Sequence, residues 1–376
     1  MTAKTIVLLD VDGVLIHARG YRAAVRATFE HFTQRMGQGH LQAPDERAMS
    51  AFEAADIIFE WDSLALSLAA VLAQAPDSWQ DGLEDTLQAI QQAGVSLQQP
   101  DYAALAARTP RPTREDQKPS AAALGILFPD APPFRELLAA AHSPTAPVTQ
   151  VFQHFVLGSE QFARTYGTPP RFASDSLLET LDRPMLSQEA HDRLWNAPHT
   201  YPVIYTARPS LPPMTELNWV GYSPEAEIAQ RQLKLRGLPL IGYGKVQWLA
   251  QQHGQSISQY VKPSPMHSRL AIFSAMFYSQ RDETWEQHAL ELAAHEGPLP
   301  EEWRADPWQV IVLEDSAGSI KGVRATVEAL QPQLNISLKG VGVALDPTKQ
   351  AALRAVADFV APDVNVGLEW ALGWGA

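Results

Sequence analysis

Near the start of the chain a short apolar run ends in two carboxylates, Ile6-Val-Leu-Leu-Asp10-Val-Asp12-Gly13-Val-Leu15. Acidic side chains this close repel each other unless a cation or a proton separates them, so the pair points to a divalent metal. A carboxylate is also a competent nucleophile when the transferred group is phosphoryl. The plain alternative for an isolated Asp-x-Asp is an acidic surface turn. Here an apolar run precedes the pair and Gly13-Val-Leu15 follows it, which makes Asp10 and Asp12 the end of a strand feeding a tight turn.

Such a pair acts only if something rigid holds it. Residues 6–9, 202–205 and 310–313 each read as a short strand buried on both faces, rich in Val, Ile and Leu and closed by a polar residue. Further candidates are 238–243, 338–344 and 358–361, and segments with helical spacing lie between them at 224–236, 245–253 and 318–330. Strand alternating with helix predicts an α/β fold with a doubly wound, Rossmann-like parallel sheet, whose ligands sit beyond the carboxyl ends of the strands. In that arrangement Asp10, Thr206 and the Glu314-Asp315 pair converge on one edge.

With these residues in place the chain resembles the haloacid dehalogenase-like hydrolases, specifically the branch of phosphoglycolate phosphatase and β-phosphoglucomutase. Asp10–Leu15 follows the family's first motif, a strand ending in D-x-D-G-V-L. The resemblance implies that Asp10 is the nucleophile that becomes phosphorylated. Asp12 is then the general acid for the leaving group and afterwards the base for water, while the amides of residues 11–13 hold phosphoryl oxygens. In Tyr201-Pro-Val-Ile-Tyr-Thr206-Ala207-Arg208, Thr206 and Ala207 take the second motif's place at the phosphate. Lys262, in Val261-Lys-Pro-Ser-Pro265, takes that of the lysine steadying the negative charge between nucleophile and phosphate. Val310-Ile-Val-Leu-Glu314-Asp315-Ser316 is similar to the fourth motif, an apolar strand followed by Glu-Asp-Ser. Asp10, the Asp12 main-chain oxygen, Asp315 and Glu314 would together hold Mg²⁺.

Each assignment has a plainer counterpart. Thr206 at a strand end can cap the next turn, and Glu314-Asp315 can cap a helix. Lys245 opens a helical run and reads as a solvated charge, and Arg208 as an ordinary surface or structural arginine.

Residues 17–200 differ in character. Ala, Leu and Gln dominate, helical runs cover 21–36, 48–75 and 82–93, proline-rich breaks fall at 109–119, 128–133 and 142–147, and no buried strand stands out. The expected organisation is a catalytic core of residues 1–16 and 201–376, with 17–200 a mainly helical cap inserted after the first strand. This insert is far larger than the branch's usual cap. The interval from Lys262 to Glu314 is long as well, with a helical excursion expected at 278–306. In the family the cap supplies specificity, and here it is expected to close over Asp10.

Composition narrows the function. The 376 residues carry Lys+Arg 29 against Asp+Glu 42, a formal net charge of −13, which disfavours nucleic acid and anionic membranes as partners. There is no cysteine, so thiolate metal sites, disulfides and cysteine nucleophiles are excluded. No secretory signal or spanning segment is visible, and the expectation is a cytoplasmic protein. The leading expectation is a Mg²⁺-dependent phosphohydrolase acting on a small phosphorylated metabolite through an aspartyl-phosphate. The alternatives are a phosphomutase, a non-catalytic binding protein on the same scaffold and an Asp-x-Asp glycosyltransferase; Asp12 disfavours a dehalogenase. Oligomeric state and substrate are not legible.

Overall fold

The computed structural model of the chain describes residues 3–114, 117–295 and 298–374. Two compact units emerge, one of Met1–Ala18 with Asp182–Ala376, the other Arg19–Leu181.

The first unit is built on strands β1 (Lys4–Leu9), β4 (Thr200–Tyr205), β5 (Leu240–Ile241), β6 (Trp308–Glu314), β7 (Ile336–Val343) and β8 (Phe359–Ala361). They form one parallel sheet in the order β5-β4-β1-β6-β7-β8. Its strands read as continuous apolar runs because alternate side chains are buried on opposite faces. Ile6, Leu8, Val203, Val310 and Val312 pack on one side with Leu270, Phe273 and Met276 of the helix Pro265–Ser279 and Ile320 and Val323 of the helix Ala317–Leu330. Val7, Leu9, Ile204, Ile311 and Leu313 pack on the other, with Ala226 and Ala229 of the helix Glu225–Gln232 and Leu368 and Ala371 of the helix Val364–Leu372. The predicted α/β fold with a doubly wound parallel sheet is therefore present, and the segment after Lys262 is helical at Trp285–Ala294 and Glu301–Ala305. Trp303 of that segment is buried against Phe273 and Phe277, so it thickens one face of the core. Glu296 and Gly297, within the same expected excursion, lie outside the described residues.

The boundary expected at residue 200 moves to 182. Two two-residue strands, β2 (Ile16–His17) and β3 (Arg183–Pro184), pair antiparallel, Met185 N–H donates to the Leu15 carbonyl at 2.8 Å, and the helix Gln188–Asn196 buries Ala190 and Leu194 against the sheet. Strands this short carry no periodic signal, so they could not be read in advance.

The second unit is helical, and among its described residues the only strand-like pairing is an isolated bridge between Leu124 and Phe128. The run read as one helix over 48–75 is two, Glu46–Ala54 and Glu60–Leu72. Between them Asp56 takes φ +63°, and the chain re-enters a helix only at Glu60. Glu115 and Asp116 of the proline-rich stretch at 109–119 lie outside the described residues. Among the described residues no helix is long and apolar enough to cross a membrane.

Candidate functional site: a carboxylate cluster at the carboxyl edge of the sheet

Strand register brings the predicted residues together. Leu9 pairs with Ile204 on one side and Leu313 on the other, so Asp10, Thr206 and Glu314 leave the sheet on the same edge. The Asp10 N–H still donates to the Leu313 carbonyl at 3.1 Å, which fixes where its side chain begins. Beyond Asp10 the chain folds back on itself: Leu15 and Ile16 N–H both donate to the Val11 carbonyl, at 3.0 and 2.8 Å, and Gly13 N–H donates to the Ile16 carbonyl at 2.9 Å. Gly13 is required there twice over. Its φ of +75° is in the region where a side chain is strained, and a Cβ would stand 2.8 Å from Asp315 Oδ2.

Asp10, Glu314 and Asp315 form a carboxylate cluster in which one oxygen from each lies within 4.8 Å of the others. Burial pushes the Asp10 carboxyl well above the usual carboxylate range; Glu314 pushes it further and Lys262 acts against both. Glu314 is raised in the same way, chiefly by burial, with Lys262 opposing.

Lys262 answers part of that charge. Its Nζ donates to Asp10 Oδ1 at 2.8 Å and to Glu314 Oε1, and it lies 4.0 Å from the centre of the Tyr205 ring. Burial alone would drive its proton off, but the two carboxylates more than compensate and its pKa rises. The turn carrying it is held by its surroundings. Lys262 N–H donates to His267 Nδ1 at 3.1 Å, and the His267 Nε2 lies 3.1 Å from the Ile241 carbonyl, so the ring is neutral with its proton on Nε2. Ser264 caps the helix Pro265–Ser279, with proline at its first turn. On the other side the Pro263 carbonyl approaches Gly322 so closely that a Cβ there would meet it at 2.1 Å.

Asp315 also accepts from Lys349 Nζ at 2.7 Å. Glu314 ends β6 and is buried, and the capping of the next helix falls to Ser316, whose side chain accepts from Ser319 N–H. The acidic pair is therefore not that helix's cap.

Thr206 is buried, and its Oγ1 accepts from the Arg208 N–H at 3.1 Å, the turn-capping bond expected of the plainer reading. Ala207 is exposed beside it. Of the two readings open for Arg208, surface or structural, the structure supports the second. Arg208 is not a surface residue but 2% exposed, and its guanidinium holds Asp12 through Nε (3.0 and 2.9 Å to the two oxygens) and Nη2 (2.6 Å to Oδ1). Nη2 also donates to Asp182 Oδ2 at 2.9 Å. Lys245 is not a solvated charge either: it is buried, with Nζ 3.0 Å from Glu286 Oε1, away from the carboxylate cluster.

Three members of the site were not legible. Asp182 lay in the expected cap, Lys349 follows a strand that no motif singled out, and Arg208 had only its place two residues after Thr206 to recommend it. Among the described residues, five carboxylates (Asp10, Asp12, Asp182, Glu314 and Asp315) are grouped with the cations Lys262, Arg208 and Lys349. Asp10, Glu314 and Asp315 are the carboxylates that could hold a cation, and Lys262 already engages the first two.

The fold and edge define a class: an α/β protein whose parallel sheet presents a carboxylate cluster at its carboxyl end. No protein-family model matches the sequence, and no curated protein matches it. Among solved structures the chain is similar to an X-ray structure determined as a target of the Northeast Structural Genomics Consortium, with a TM-score of 0.62 and 14% sequence identity over 100% of this chain and 98% of that one. At that identity the likeness extends to the fold alone.

Proposed function

We propose that the protein is a Mg²⁺-dependent phosphohydrolase of a small phosphorylated metabolite, with a haloacid dehalogenase-like core and the helical unit Arg19–Leu181 as its cap. The observation that carries this reading is the setting of Asp10, a buried carboxylate at the end of a central strand, held by Lys262 at 2.8 Å and grouped with Glu314 and Asp315. A carboxylate raised by burial and by like charge gains from a bound cation that restores its charged form.

In this proposal Asp10 attacks phosphorus and forms the aspartyl-phosphate while the leaving alcohol takes its proton from Asp12. Asp12 then removes a proton from water as the water attacks the same phosphorus, and inorganic phosphate departs with Asp10 restored. Lys262 balances charge on Asp10 and the phosphoryl oxygens throughout, and the Thr206 hydroxyl and the amides of residues 11–13 orient the phosphoryl group. Bound Mg²⁺ would neutralise the phosphoryl oxygens facing Asp10 and Asp315.

Purified protein assayed on p-nitrophenyl phosphate and a panel of sugar and acid phosphates should release phosphate with Mg²⁺ and lose that activity in EDTA. Interconversion of sugar-phosphate isomers in place of phosphate release would make it a phosphomutase. No reaction on any member of the panel, with the metal bound, would leave a binding protein.

A further inference from the structure

We propose that Arg208, braced by Asp182, is a positioning residue for Asp12; the role rests on the phosphohydrolase reading above. Asp10 and Asp12 are neighbours in sequence, yet their carboxylates are held by different cations. Lys262 engages Asp10 and Glu314, whereas Arg208 engages Asp12 and Asp182. The choice of residue matters, because an ammonium is a compact point charge while a guanidinium is a planar fork that fixes both the place and the plane of a carboxylate.

The fork is itself immobilised. The Arg208 side chain is 1% exposed and that of Asp182 is 0% exposed, while the Asp12 side chain is 39% exposed. The Arg208 N–H donates to Thr206 Oγ1 at 3.1 Å and its carbonyl accepts from Tyr243 N–H at 2.9 Å, so backbone and side chain are both anchored. A buried ion pair is an inefficient way to stabilise a fold, since desolvation of the ions offsets much of their attraction. What this one secures is the direction of a single, partly open carboxylate. Among the described residues, Asp12 Oδ1 accepts from both Nε and Nη2, whereas Oδ2 takes only the shared Nε–H at 2.9 Å. Oδ2 therefore keeps acceptor capacity, and it is the oxygen that exchanges a proton with the leaving group and with water.

Asp182 extends the chain of contacts to the first residue of this unit after the helical segment. Arg208 thus links three pieces of chain far apart in sequence: the turn after β1, the end of β4 and the start of the returning segment.

The test compares wild type with Arg208→Lys, Asp182→Asn and the double variant Arg208→Gln/Asp182→Asn, which removes the buried cation together with its buried counter-charge and so protects folding. Turnover of p-nitrophenyl phosphate should fall about 10–100-fold in the double variant, the range seen when a group that orients a reacting residue is removed. The Mg²⁺ affinity from calorimetry should stay within about three-fold of wild type, because it does not depend on how Asp12 is aimed, while KM should fall together with turnover as the second step becomes limiting. Arg208→Lys should fall with the double variant rather than with wild type, since it keeps the charge but not the fork. Acid-quenched samples should contain more phosphorylated Asp10 than wild type, because this substrate's leaving group needs little protonation and the Asp12-assisted water attack becomes the slow step.

Unchanged turnover and phosphoenzyme level in the double variant would overturn the positioning role, as would a loss of Mg²⁺ affinity matching the loss of turnover. An inactive wild type across the whole panel would instead overturn the phosphohydrolase reading, and this role with it.

Discussion

Asp315 and Glu314 are adjacent in sequence and spend their charge differently. Glu314 is buried and engaged by Lys262, with a second oxygen accepting from Ser316 N–H at 3.3 Å. The Asp315 side chain is 23% exposed and accepts from Lys349, whose own side chain is 57% exposed. A lysine of that exposure is readily displaced by an incoming divalent ion, whereas Lys262 is not. Removing Glu314 should therefore disturb metal binding at second hand, by releasing Lys262 toward Asp10. The expected loss of Mg²⁺ affinity is about 10–100-fold for Glu314→Ala, and larger for Asp315→Ala, which removes a ligand outright. Calorimetric titrations in the opposite order would exchange the two roles.

At the scale of elements, the turn that carries Lys262 depends on one neutral histidine. Burial, reinforced by the Lys262 ammonium, pushes His267 down to about 3, while an unfolded chain would take up a proton near 6.5. Folding thus keeps off a proton that the unfolded state binds, and stability is lost as pH falls below about 6.5 and continues to be lost until about 3. The slope approaches about 1.4 kcal/mol per pH unit for one such group. His267→Gln lacks the titrating ring, so denaturant melts between those limits should show its stability falling less steeply with pH than wild type by about one proton's worth. Equal slopes would mean that His267 is protonated in the folded protein. The strands flanking this turn were legible because burial on both faces writes continuous apolar runs, and Asp10, Thr206 and Glu314 were legible as the polar residues ending three of them. The partners that complete the edge were not. Arg208 reaches Asp12 across 196 residues and Lys349 reaches Asp315 across 34, and no local spacing records such meetings. Lys245 misled for the same reason, since Glu286, which buries it, lies far along the chain in a helix with no motif of its own.

Across the whole molecule, charge opposes the proposed substrate. The chain carries a net charge of −13, so the proposed phosphate dianion approaches against the long-range field. Raising ionic strength from about 0.01 M to about 0.15 M shortens the screening length from about 30 Å to about 8 Å, and kcat/KM should rise. A steep fall would instead reveal a local basic funnel that dominates the far field. The same scale explains the misplaced unit boundary: residues 182–196 read as helix and loop like the insert before them, and only pairing with residues 16 and 17 and burial of Leu194 assign them to the sheet.

The central claim is that Asp10 carries the phosphoryl group. Its most direct test is to mix the Mg²⁺-loaded protein with a substrate found in the panel, quench in acid within a turnover, and map the phosphoryl mass by peptide mass spectrometry. The account predicts a phosphoryl adduct on Asp10, absent from Asp10→Asn, which should also be inactive while folded. A phosphoryl group on any other residue, or phosphate release by folded Asp10→Asn at the wild-type rate, would contradict it.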